Sequence, residues 1–160
     1  MKLVHYSSAP VTELRAGDID HPRVQFKPNG LWVSDDDTEW GWRAWCISER
    51  FGLDRLTHVH DVALAPGGNV LVISDSGALV AFHNEFRLRD EPDYKVLCDW
   101  PAVMRRYDGV IITPYIWQRR LDLDMVWYYG WDCASGCIWQ PRAIASVVLR
   151  EIVPVPEPED

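Results

Sequence analysis

An α+β domain with mostly antiparallel pairing is the fold this chain predicts, and three observations predict it. Short apolar, β-branched runs recur between turn signals, at "KLVHYSS", "GLWVS", "THVHDVALA", "NVLVISD" and "YDGVIITPYIW". Two or three helix-like stretches are interspersed among these strands, without internal repeats. At 160 residues, 48% of them apolar and 12% aromatic, the chain has enough material for a single hydrophobic core.

The first strand, "KLVHYSS", ends at Ser7, Ser8 and Pro10, and "PVTELRAGD" reads as a turn or short helix. Pro28-Asn29-Gly30 is a turn signature leading into the second strand, "GLWVS". The acidic "DDDT" that follows offers an N-cap with carboxylates where a helix dipole favours them, which predicts a helix over 38–51. "THVHDVALA" alternates, with Val59, Asp61 and Ala63 on one face and His60, Val62 and Leu64 on the other. "PGG" then breaks the chain before "NVLVISD", and the two runs read as neighbouring strands. "SGALVAFHNEFRL" suits a short helix, and "DWPAVMRRY" a helix entered near Trp100 with Pro101 at its first position. "YDGVII" is a further strand, and "MVWYYGWD" and "CIWQPRAIASVVLREI" supply more strand or a final strand pair. One domain is expected over 1–152, with "VPVPEPED" leaving an acidic, Pro-rich flexible tail over 153–160.

A formal charge of −8 disfavours a broad nucleic-acid-binding face, although a local basic groove stays open. No apolar run approaches the roughly 20 residues of a membrane span, and "MKLVHYSSAP" lacks a signal-peptide core, so the expectation is a cytoplasmic protein with no membrane partner. Four cysteines in a domain of this size are expected as reduced thiols. Cys133 and Cys137 are spaced C-x-x-x-C rather than as a zinc knuckle, and "DDDTE" lacks the alternating ligands and glycine of a calcium loop, so no metal is expected. Cys133 has no convincing base in the sequence, which speaks against a thiol enzyme.

The order of the pieces resembles the ADP-ribosyltransferase fold, in the His-Tyr-Glu group of poly-ADP-ribose polymerases and diphtheria-type toxins. "LVHYSS" places His5 and Ser7 like that family's first motif, a strand histidine before a small-residue turn. "GLWVSDDDTEWGWRAWC" resembles the second, a Gly-hydrophobic-aromatic strand, polar loop and helix, with Trp32 where the family has Tyr and Trp45-Cys46 at its aromatic-Cys pair. "YDGVII" places Asp108 ahead of a hydrophobic strand, where the family has Glu. The resemblance implies a split antiparallel β-sandwich with two or three short helices, and NAD as substrate. It implies His5, Trp32 and Asp108 as catalytic residues, and His5, Tyr6, Ser7, Gly30, Trp32, Ser34 and Trp45 around the dinucleotide. His5 would hold the adenosine-side ribose, main chain near Tyr6 the carboxamide, and Asp108 the ribose that develops positive charge as nicotinamide leaves. The acceptor of ADP-ribose is not identified by the resemblance.

This reading also gives the tryptophans a purpose. Four of the nine lie between Lys27 and Glu49, and a flat, electron-poor nicotinamide ring suits aromatic walls. Trp32 and Trp45 are the candidates, while Trp40 and Trp42 read as core or rim. "WYYGWDCASGCIW" stays open between a packed hairpin with Gly130 and Gly136 at bends, an acceptor surface, and a second source of acid in Asp132. Compact size without a targeting or partner segment suggests an accessory factor such as a toxin or a phage-encoded host-modifying protein. The alternative is a catalytically silent member of the fold that binds a protein or nucleotide through its tryptophan-rich surface.

Overall fold

The computed structural model describes residues 1–20, 24–90 and 92–157, so 158–160 of the expected tail lie outside the described residues. The architecture is α+β, with a seven-stranded sheet and four short helices. The strands are β1 (Leu3–Ser7), β2 (Leu31–Asp35), β3 (His58–Leu64), β4 (Val70–Ile73), β5 (Gly109–Ile112), β6 (Ser135–Ile138) and β7 (Ile144–Ile152). The helices are α1 (Trp42–Ser48), α2 (Ser76–Phe86), α3 (Trp100–Arg106) and α4 (Val126–Tyr129). Strand order is β4-β5-β6-β2-β1-β3-β7, antiparallel throughout except between β4 and β5.

Hydrogen bonding joins all seven strands into one sheet, where the resemblance implied a sandwich split in two. The join between the halves is narrow: β1 and β2 share only the pairs Leu3↔Asp35 and Val4↔Ser34. By contrast, β1 pairs with β3 over four positions and β2 with β6 over four. Beyond Val4 the two central strands therefore part.

β3 and β4 are not neighbours. Both edges of β3 are taken, by β1 and β7, while β4 forms the far edge of the sheet against β5. A parallel pair needs a long crossover connection, and the segment holding α2 and α3 provides one. Asp75 caps α2 by accepting from the Ala78 N–H at 2.8 Å, and Asp99 caps α3 at 3.1 Å with Pro101 in the first turn. "MVWYYGWD" is not strand. It forms α4 and a turn, ended at Gly130. Gly136 is not at a bend either: it lies within β6, where a Cβ would come 2.6 Å from the Val110 carbonyl oxygen.

The core has two parts, one on each face of the sheet. The larger contains Leu79 and Phe82 of α2, Trp100 and Met104 of α3, and Trp127 and Trp131, with Val110, Ile112 and Trp139 from the sheet side. The smaller gathers Leu3, Val33, Val62, Ile111 and Ile138. Alternate residues of β5 and β6 thus feed opposite faces, as the strand period of two requires.

Candidate functional site

A cavity of about 310 Å³ opens where β1 and β2 part. Its walls come from His5 and Tyr6 on β1, Trp32 and Ser34 on β2, Trp42 on α1, and from Lys27, Arg55, Asp132 and Cys133. The volume is at the lower end of the range for small-molecule sites.

The separation of the strands is held by side chains. His5 Nδ1 donates to the Trp32 carbonyl at 2.7 Å, so an imidazole bridges the gap where the ladder stops. Because a carbonyl only accepts, the proton is fixed on Nδ1. Burial pulls the His5 pKa below its usual value, the Trp32 carbonyl opposes this, and the nearby His60 adds to the lowering. The ring is thus neutral near pH 7, with Nε2 as an acceptor. His60 packs 5.8 Å away, donates from Nδ1 to the His5 carbonyl at 3.3 Å and accepts from the Val11 N–H at 3.1 Å, bracing β1 from behind.

The three consecutive aspartates do not start a helix. Asp35 is buried and accepts from the Lys2 N–H at 2.9 Å, the Asp37 N–H at 3.2 Å and the Thr113 hydroxyl at 2.7 Å. Asp36 accepts from the Tyr6 hydroxyl at 2.6 Å and from Ser34 Oγ at 2.9 Å, and Asp37 pairs with the N-terminal amine at 2.8 Å. Burial, reinforced by Asp36, raises the Tyr6 pKa well above its usual value, so the phenol stays protonated. Lateral demands on the carboxylates delay the helix to Trp42, whose N–H donates to Ser34 Oγ at 2.8 Å. Gly41 is required there, since a Cβ would meet Ser34 Oγ at 2.7 Å.

Tryptophans then position the acid. Trp40 donates its indole N–H to the Asp132 carbonyl at 3.1 Å, and its own carbonyl accepts from the Ala134 N–H at 2.9 Å. Trp32 packs on Trp131 at 4.9 Å, and Trp131 donates to the Ser135 carbonyl at 3.1 Å. The loop carrying Asp132 is thereby clamped against β2. Lys27 reaches Asp132 at 3.2 Å with its ammonium 5.4 Å from the centre of the Trp32 ring. Cys133 also lines the cavity, but burial pushes its thiol up to about 12, which leaves it inert.

Of the expected site residues, His5, Tyr6, Trp32 and Ser34 meet at this cavity. Four do not line it. Ser7 is turned to the Ala9 carbonyl at 2.6 Å. Gly30 has φ of 153°, and a Cβ there would fall 2.6 Å from the Ile138 carbonyl oxygen, so its lack of a side chain serves packing against β6. Trp45 stands behind Trp42, stacked at 5.0 Å and 18°.

Asp108 lies three strands from β1, on the order of 14 Å at ordinary strand spacing. It is a buried clamp: Oδ1 accepts from Arg142 at 3.1 and 2.7 Å, and Oδ2 from the Asn69 N–H at 3.0 Å. Burial alone would raise its pKa, but Arg142 and the Asn69 N–H outweigh that and hold it below the usual carboxylate value. Trp42, Lys27 and Arg55 were missed as site residues. The spacing of Trp42 and Trp45, three apart on a helix, was the available signal that one ring stacks on the other.

Among the described residues, no group of three His, Cys, Asp or Glu side chains is placed to hold a metal ion, and no helix is long and apolar enough to cross a membrane. No protein-family model, curated protein or solved structure matches this chain.

Proposed function

We propose that the chain uses NAD as a substrate, seating nicotinamide and its ribose in the cavity between β1, β2 and α1, and transfers ADP-ribose to an acceptor. The observation that carries this reading is the meeting of His5, Tyr6, Trp32, Trp42 and Asp132 around one cavity. Trp32 and Trp42 offer aromatic walls for a flat ring. His5 Nε2 is suited to accept from a ribose hydroxyl, and Lys27 and Arg55 to face the pyrophosphate.

Asp132 takes the role that the resemblance implied for Asp108. The bond between the ribose C1′ and the pyridinium nitrogen breaks, and its electron pair leaves with neutral nicotinamide. The positive charge that develops on the sugar is stabilised by the Asp132 carboxylate. An acceptor oxygen or nitrogen then bonds to C1′ and gives up its proton. Water in that place makes the reaction a hydrolysis.

One observation favours a second reading, a module that binds NAD or another nucleotide without cleaving it. Asp132 is ion-paired with Lys27 and Asp108 with Arg142, so each carboxylate has a cation as its standing partner. Nicotinamide release from NAD, with and without cell lysate, separates the two. Transfer requires release that falls about 10²–10³-fold in Asp132→Asn, is lost in His5→Ala and persists in Asp108→Asn. Saturable quenching of tryptophan fluorescence by NAD without release establishes the binding module, and absence of both defeats either reading.

A further inference from the structure

A second cavity, also about 310 Å³, lies between α2 and the segment 119–125 and shares no residue with the first. His83 of α2 is at its floor with only 5% of its surface exposed. The Trp127 indole N–H, which only donates, is 3.2 Å from His83 Nδ1. Nδ1 is therefore the bare nitrogen of the neutral ring, and the proton is on Nε2. Nε2 has no hydrogen-bond partner among the described residues, which leaves an N–H donor on a nearly buried ring that lines the cavity.

Two cations stand at the rim. Arg87 follows directly on α2 and Lys95 comes from the segment returning toward α3, the two brought together where Leu88 N–H bonds the Leu97 carbonyl at 3.1 Å. Neither side chain has an ion-pair partner among the described residues. The third cation, Arg119, is already committed to Ser76 Oγ at 2.7 Å and Asp122 at 2.8 Å. Asp124 is the remaining charge on the wall, so the groups not already paired with one another sum to a positive cavity in a chain of net charge −8.

We propose that this cavity binds the phosphate of a small phosphate monoester, with Arg87 and Lys95 contacting its oxygens and His83 Nε2 donating from the floor. Two cations and a neutral N–H donor match a dianion with three acceptor oxygens better than a carboxylate with two. The volume leaves room for the esterified group, and Asp124 on the same wall supplies an acceptor for a hydroxyl on it. Both Asp122 and Asp124 raise the proton affinity of His83, while burial and Arg87 lower it more, so the ring keeps its donor role without protonation. Protonation would place a hydrogen on Nδ1 and break the Trp127 bond.

The test is titration of the full chain with inorganic phosphate and with glycerol 3-phosphate at constant ionic strength, following the Trp127 indole N–H resonance and binding heat. The expected result is saturable binding of both, the ester binding more tightly, with the Trp127 resonance shifting in step. Arg87→Gln with Lys95→Gln, both at exposed positions, weakens binding by at least about tenfold while the rest of the spectrum is preserved. Inorganic phosphate binding without any gain from the ester assigns the cavity to free phosphate and overturns the monoester. No saturable binding, or binding that the double variant leaves unchanged, overturns the site. The outcome is independent of NAD at the first cavity, because Trp32 and Trp42 report there and Trp127 here.

Discussion

Eight of the nine tryptophans fall into two groups, the exposed Trp117 standing apart. Trp100, Trp127, Trp131 and Trp139 are completely buried in the larger core, whereas Trp32, Trp40, Trp42 and Trp45 are each half-buried, Trp32 and Trp42 lining the first cavity. Within the buried group Trp100, Trp127 and Trp131 contact one another edge-on or stacked, as Trp100 does with Trp127 at 5.3 Å and 88° and with Trp131 at 5.7 Å and 23°. Three of its four indole N–H groups have partners, and that of Trp100 has none among the described residues. In the half-buried group Trp32 and Trp42 present a face to the cavity, while Trp45 stacks behind Trp42. The same residue thus serves cohesion in one half and the shaping of a site in the other, and the neighbouring elements decide which.

The largest expected effect sharpens that division. Trp131→Ala removes a fully buried ring that also touches Trp32, and should cost about 3–5 kcal/mol in chemical denaturation. Trp45→Ala, at a half-buried ring behind Trp42, should cost about 1 kcal/mol. Equal costs would break the comparison and make the cleft part of the core.

Next comes Asp108. Asp108→Ala removes the acceptor of the Asn69 N–H and the ion-pair partner of Arg142, at a cost of about 1–3 kcal/mol. The folded carboxyl titrates below its unfolded value of 3.8, so its contribution is complete above that value and disappears as the pH falls through the lower, folded one. Acid denaturation of the variant should accordingly lack part of the loss seen in the parent below about pH 4. A variant that keeps full stability but loses NAD cleavage would reverse the assignment of acid from Asp132 back to Asp108.

Smaller still is the effect of Trp42→Ala, which should weaken NAD binding by about three- to tenfold through loss of ring stacking, with Trp45→Ala weakening it less. Fluorescence quenching by NAD measures both.

The least effect is the pH dependence of His5. Its folded pKa lies below the unfolded 6.5, so as the pH falls through that value the unfolded chain takes up more protons and stability is lost. Thermal melts between pH 7.5 and 5.5 should show a shallower decline in His5→Asn.

Much of this architecture was legible along the chain. Apolar runs bounded by Ser, Pro and Gly marked β1 through β5, and Asp75, Asp99 and Pro101 are local signals for α2 and α3 that needed no partner. The start of α1 was misread, because Asp35 to Asp37 look like helix caps until Lys2, Tyr6 and Thr113 claim them. "MVWYYGWD" was misread as strand because β-prone aromatics form a buried helical turn when they have a core to fill. At the site, His5, Tyr6, Trp32 and Ser34 were found because two adjacent strands carry them. Lys27, Arg55 and Asp132 lie far apart along the chain and outside the strands, and no local pattern connects them.

The sequence by itself determined the α+β class, most strands and two of the helices, because hydrophobic period, caps and turn residues act over a few positions. Tertiary structure alone decided which strands became neighbours, which carboxylate faced the cavity and which became a clamp, and which tryptophans were buried. Those outcomes depend on contacts between residues as distant in sequence as Lys27 and Asp132, or Asp35 and Thr113, where burial and charge pairing are set by the partner rather than by the residue.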